Sequence, residues 1–130
     1  MIRQEIDVDG YWKVVVYYDV DYDLFDVAAD ELLKAGLSRR ELGRLYRKMS
    51  SGRAKAVTFS NEEERVSVVL LNRHRSLTDY VNSIVHEAEH VKQAMLRGYD
   101  VEDEGEEPAY TVGYLVGRMW KVAGRYTCSI

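Results

Sequence analysis

The segment spanning residues 78–97, TDYVNSIVHEAEHVKQAMLR, constrains the fold more than any other part of the chain. Wound as a helix, it places Val81, Ile84, Val85, Ala88, Val91 and Met95 along one side, a stripe that must be covered by other elements. Asp79, Asn82, His86, His90, Gln93 and Arg97 fall on nearly the opposite side. Any fold for this chain therefore has to bury the stripe and leave two histidines facing out. Ser76 or Thr78 can cap the start of the helix, and Gly98 is the expected stop.

The segments that could cover the stripe are legible on either side of it. YWKVVVYYDV is β-branched and aromatic and predicts a strand at about 11–18. In DLFDVAADELLKAG the apolar positions Leu24, Phe25, Val27, Ala28, Leu32 and Leu33 recur at helical spacing, with Gly36 as C-cap. SRRE at 38–41 has the form of a capping box, opening a helix that buries Leu42, Leu45, Tyr46 and Met49. KAVTFS and RVSVVLLN predict two strands, joined by the polar NEEE as an antiparallel hairpin. A last helix begins near Pro108, a favoured first-turn residue, and runs to about Gly124. The order β-α-α-β-β-α-α predicts an α+β fold, with a small, mostly antiparallel sheet packed against the 78–97 helix and a second, C-terminal helix.

With 130 residues the chain is expected to form a single domain, 1–130, large enough for one hydrophobic core. The net charge of -4 gives no overall attraction to nucleic acid or to an anionic membrane. Cys128 is the only cysteine, so no disulfide can close within the chain, which fits a reducing compartment. MIRQEIDVDG has no apolar signal-peptide core, and no apolar run approaches the roughly 18 residues that span a bilayer. These features lead to the expectation of a cytoplasmic protein with no membrane partner.

His86 and His90 share one helix face, with Cβ atoms about 5–6 Å apart. Two imidazole nitrogens placed there can meet one metal ion at about 2.0–2.1 Å. Glu87 lies a quarter-turn round, too far to be an easy third ligand but able to reach a water held on the ion. Zinc lowers the pKa of such a water to about 7, and a carboxylate beside it can take the proton and return it to a leaving amine. The bland alternative is a solvated helix face carrying an accidental pair.

The motif His86-Glu87-Ala88-Glu89-His90 has the HExxH form and resembles the zinc peptidases called zincins. Glu89 and Lys92 are charged where zincin motifs usually carry uncharged and apolar residues. The later segment EEPAYTVGYLVG resembles the gluzincin branch, in which the third ligand is a glutamate on a second helix, often in a Glu-x-x-Ala context. Glu106-Glu107-Pro108-Ala109 has that form, and Glu106 follows His90 by sixteen residues. Residues 78–120, about a third of the chain, are thus similar to a minimal gluzincin-like metallopeptidase core and to small zincin-like proteins of phages and mobile elements. The resemblance implies a hydrolase: Zn²⁺ on His86, His90 and Glu106, Glu87 as catalytic general base, and a peptide or protein substrate. Helical phase groups Glu106 with Ala109, Gly113, Gly117 and Gly124, a small-residue face suited to close helix approach. Glu107 falls with Tyr114, Arg118 and Lys121 and is the alternate ligand. His74, the third histidine, lies in NRHRS and is either a further alternative ligand or a surface residue in a basic turn.

Tyr110, Tyr114, His74 and Arg97 are candidates for stabilising an oxyanion. By the same resemblance, RVSVVLLN is the strand expected to bind substrate along its edge. A rival reading is a catalytically inactive zincin-fold module that binds metal or a protein partner. In that reading the basic segment 39–55, with Arg39, Arg40, Arg44, Arg47, Lys48, Arg53 and Lys55 against Glu41, could touch nucleic acid. No aromatic-basic interleaving accompanies the segment, and a solvated helix face is the preferred account of it.

Overall fold

The computed structural model describes residues 1–129 and has an α+β architecture. In chain order the elements are β1 (Ile2–Val8), β2 (Trp12–Tyr18), α1 (Phe25–Lys34), α2 (Arg39–Ser50), β3 (Ala56–Asn61), β4 (Val66–Leu71), α3 (Leu77–Tyr99) and α4 (Glu106–Ala123). Short 3-10 segments lie at Tyr22–Leu24 and Gly124–Ser129. Among the described residues no helix is long and apolar enough to cross a membrane.

The four strands form one mixed sheet in the order β1-β2-β4-β3. β1 pairs with β2 and β3 with β4, both antiparallel, while β2 and β4 run parallel at the centre. The central strands are WKVVVYY and VSVVLL, near-continuous apolar runs, as strands covered on both faces require. Their side chains alternate between two cores. Trp12, Val14, Val16, Tyr18, Val69 and Leu71 point to α3 and α4, whereas Val15, Tyr17, Val68 and Leu70 point to α1 and α2. The sheet is thus sandwiched between two helical pairs, a layer more than the sequence alone suggested.

β1 was not anticipated. Its sequence IRQEIDV is polar at alternate positions, and it pairs Ile2 with Tyr18 through to Val8 with Trp12. The turn is built on Asp9 and Gly10, at φ 55° and 75°, and closes with Tyr11 N–H donating to Val8 O at 3.1 Å. Asp-Gly is a strong hairpin dipeptide because both residues tolerate the left-handed region.

Local chemistry fixes the helix ends. Ser38 Oγ accepts from Glu41 N–H at 3.1 Å, so Ser38 caps α2, and Glu41 reaches back to the Ser38 hydroxyl, which donates to its Oε1 at 2.8 Å. Ser76, rather than Thr78, caps α3 by accepting from Asp79 N–H at 3.0 Å. α3 does not stop at Gly98. It continues to Tyr99 and ends with Asp100 in the left-handed region, at φ 55°. Gly98 serves packing instead: a Cβ there would lie 2.9 Å from Cζ3 of the buried Trp12.

The buried arc of α3 is also rotated from the expected stripe. Ile84, Ala88, Val91 and Met95 are buried, but Val81 and Val85 are 40% and 43% exposed, while Tyr80, Glu87, Lys92 and Ala94 are covered. The helix lies across the sheet and beside α4, so its covered arc is set by two neighbours rather than by its own most apolar line. Leu24, just before α1, and Val27 on it are exposed, and Phe25, Ala28 and Leu32 carry the packing. On α2 only Met49 is fully buried, and Tyr46 lies at the surface.

Candidate metal centre

His86 and His90 emerge from the outer face of α3, where the wheel placed them, and both are exposed. Their rings turn toward each other at 79°, and the two Nε2 atoms lie 3.1 Å apart. In the metal-free chain one ring's N–H can donate to the other's lone pair at that distance. The separation also suits a shared ion, since two nitrogens at about 2.05 Å on a tetrahedral zinc sit about 3.3 Å apart.

Glu87 points from the next quarter-turn toward β3 and is 5% exposed. Its Oε1 accepts a hydrogen bond from Thr58 Oγ1 at 3.0 Å. Thr58 is on the α3-facing phase of β3, so strand alternation aims its hydroxyl at the carboxylate. A buried carboxylate without a donor is costly, and Thr58 supplies one. Thr58 is not legible from the sequence, where its one signal is a polar residue, like Ser60, at an inward strand position. His86, Glu87, His90, Thr58, Ser60 and Arg97 line one open cleft of about 310 Å³ between α3 and β3.

The third ligand is not assembled. Glu106 and Glu107 form the first turn of α4 and are both exposed. Among the described residues, no group of three His, Cys, Asp or Glu side chains is placed to hold a metal ion. The glycine face grouped with Glu106 does not pack on α3: a Cβ at Gly113 or Gly117 would meet nothing within 4 Å. α4 packs through Pro108, Leu115, Met119 and Ala123, because larger apolar side chains bury more surface than glycine.

His74 stands apart from the pair and is not a surface residue. It is buried, with Nδ1–H donating to Asn72 O at 2.8 Å and Nε2 accepting from Ser83 Oγ at 2.7 Å. Burial holds its pKa below the ordinary value, partly offset by the hydrogen bond to Asn72. Both nitrogens are committed, so it does not serve the cleft. Of the oxyanion candidates, Tyr110 is 70% exposed, and Tyr114 donates to Asp7 O on β1 at 3.1 Å. Arg97 lines the cleft but pairs with Glu62 Oε1 at 2.7 Å.

The two departures from the motif, Glu89 and Lys92, turn out to be partners. Lys92 is buried, and its Nζ lies 2.6 Å from both Glu89 Oε1 and Asp103 Oδ2. Burial by itself would lower the ammonium's pKa, but the hydrogen bonds to Asp103 and Glu89 more than reverse this and hold it above its usual value. The network pins the loop before α4 onto α3.

The strand expected to receive substrate also changes. β4, RVSVVLLN in the sequence, is paired on both sides and has no free edge. β3 is the edge strand beside α3, β1 being the opposite edge, and Ala56, Val57, Thr58 and Ser60 of β3 line the cleft. In comparisons with known proteins, the chain matches no family model, no curated protein and no solved structure.

Proposed function

We propose that the chain is a zinc-dependent peptidase. His86 and His90 hold the ion, Glu106 is the assigned third ligand, and Glu87 is the general base. The observation that carries this reading is the 3.1 Å approach of the two Nε2 atoms, beside a carboxylate fixed at the same cleft. The donor set fits zinc in its two imidazoles, and the third donor remains to be recruited from the first turn of α4.

Bound zinc supplies a water of lowered pKa and polarises a carbonyl. Thr58 engages Oε1 of Glu87, which leaves Oε2 to accept a proton from the attacking water and return it to the leaving amine. The free edge of β3 offers backbone N–H and C=O groups to an extended peptide. Arg97 can turn from Glu62 to a developing negative charge.

The test is zinc content by elemental mass spectrometry, measured beside peptide hydrolysis. The native chain is expected to hold near-stoichiometric zinc and His90→Ala to lose it. Glu87→Gln is expected to keep zinc and lose about 10²–10⁴-fold in rate, the usual share of general base catalysis. A native chain that takes up no zinc on add-back ends the proposal. One rival is a metal-binding module without turnover. That rival is expected if zinc binds but Glu87→Gln changes no measured property.

A further inference from the structure

Three contiguous lobes lead from the edge of β3, past its first residue Ala56, to the loop that precedes α3. The histidine cleft shares Ala56, His86 and Glu87 with a second lobe of about 350 Å³, lined also by Arg53, Lys55, Asn82 and Ser83. The second lobe shares Gly52 and Lys55 with a third of about 470 Å³, which adds Arg73, Arg75 and Asp79.

Charge is unequal along this groove. At one end Arg97 is balanced by Glu62. At the other end Lys55 is balanced by Asp79 and Arg73 by Asp19. Arg53 and Arg75 are exposed and, among the described residues, have no carboxylate partner. The groove therefore has a surplus of positive charge on one side of Glu87 only.

We infer that the cleft selects acidic peptides, with carboxylates lying on the Arg53–Arg75 side of the bond held at Glu87. The placing of a scissile bond at Glu87 rests on the peptidase reading above; the binding preference does not. Asn82 and Ser83 precede Glu87 by about 6–7.5 Å of helix axis, at 1.5 Å per residue. An extended peptide covers that in about two residues, so the selected carboxylates lie about two positions from the bond and beyond. A peptide fits better than a nucleic acid on two counts. The unpaired edge of β3 matches a peptide backbone. Neither of the first two lobes is lined by tyrosine, tryptophan or phenylalanine on which bases could stack.

The experiment measures binding by fluorescence anisotropy at low salt, in chelator so that nothing is cleaved. The probes are a short peptide with glutamates on one side of its centre, its glutamine counterpart, and a single-stranded oligonucleotide. The acidic peptide is expected to bind about tenfold tighter than its counterpart, the scale of two partly screened charge pairs. Arg53→Gln with Arg75→Gln should narrow that ratio and Arg53→Glu with Arg75→Glu should invert it. Asp79→Asn, which releases Lys55, should widen it. Equal binding of the two peptides overturns the inference, as does a preference that survives charge reversal in a variant whose circular dichroism and melting match the native chain. An oligonucleotide that displaces the acidic peptide at matched charge overturns it in favour of nucleic acid. If the preference follows the variants but the zinc-loaded chain cleaves neither peptide, the selectivity of the groove stands and the peptidase reading fails.

Discussion

His74 sits between Asn72 O and Ser83 Oγ as a neutral ring, with Nδ1 donating and Nε2 accepting. Its pKa in the folded chain lies below the ordinary 6.5, chiefly because burial penalises the charged ring. A depressed folded pKa contributes stability that is complete above the unfolded value and is lost as the pH falls through the folded one. The native chain is therefore expected to lose thermal stability as the pH drops from 6.5, and His74→Asn to lose less over the same range. Melting curves of both proteins through that range check this, and parallel profiles would remove the role given to His74. The sequence showed His74 as a lone histidine in the basic stretch NRHRS, which suggested a surface turn or a metal ligand. What buries it is contact with Ser83 and the ring of Tyr80, at 5.0 Å between centroids. Those partners lie on the following helix, and no local pattern announces them. Glu87 behaves oppositely: its place beside the pair follows from a 100° step along the helix, and only its hydroxyl partner Thr58 was hidden.

Within α3, Gly98 shows how a tertiary neighbour overrides a local signal. A glycine after an apolar stripe reads as a stop, yet the helix passes through it because Trp12 occupies the space where a side chain would stand. The Trp12 ring is held by Nε1–H donating to Ser67 Oγ at 3.0 Å and by an edge contact with Tyr99 at 5.8 Å, so it has little freedom to yield. Gly98→Ala would gain about 1 kcal/mol of helix propensity but should lose about 1–3 kcal/mol to overpacking. A net destabilisation of about 1 kcal/mol is expected in the denaturant midpoint; a more stable variant would show that the ring moves aside. The caps at Ser38 and Ser76 were legible because capping is written within four residues. The arc that α3 buries was only half legible, since α4 and the sheet jointly decide that Val85 stays out and Lys92 goes in.

Across the whole molecule, the sheet with helices on both faces makes β2 and β4 the best-protected strands, with Val14, Val15, Val16, Val69, Leu70 and Leu71 all fully buried. Native-state hydrogen exchange is expected to be slowest there and faster along the outer edge of β3 and in the 100–105 loop. Uniform protection across all four strands would count against this layering. The α+β class was legible from element order and periodicity. The extra strand β1 is hard to read because Gln4 interrupts the apolar phase of Ile2, Ile6 and Val8, although Asp9-Gly10 marks the hairpin. The approach of His86 and His90 was legible because both sit on one helix, and the position of Glu106 relative to them was not, because it depends on how a loop docks. The central seam has a consequence of its own for biosynthesis. Partners such as Lys13 and Val66 meet across α1, α2 and β3, whereas each outer strand reaches its neighbour through a short turn. A nascent chain thus exposes the unpaired flank of β2 until β4 has left the ribosome, and the histidines follow later still. Translation interrupted before Leu71 would leave an open apolar strand edge with no site, a sticky fragment that the cell must capture or destroy.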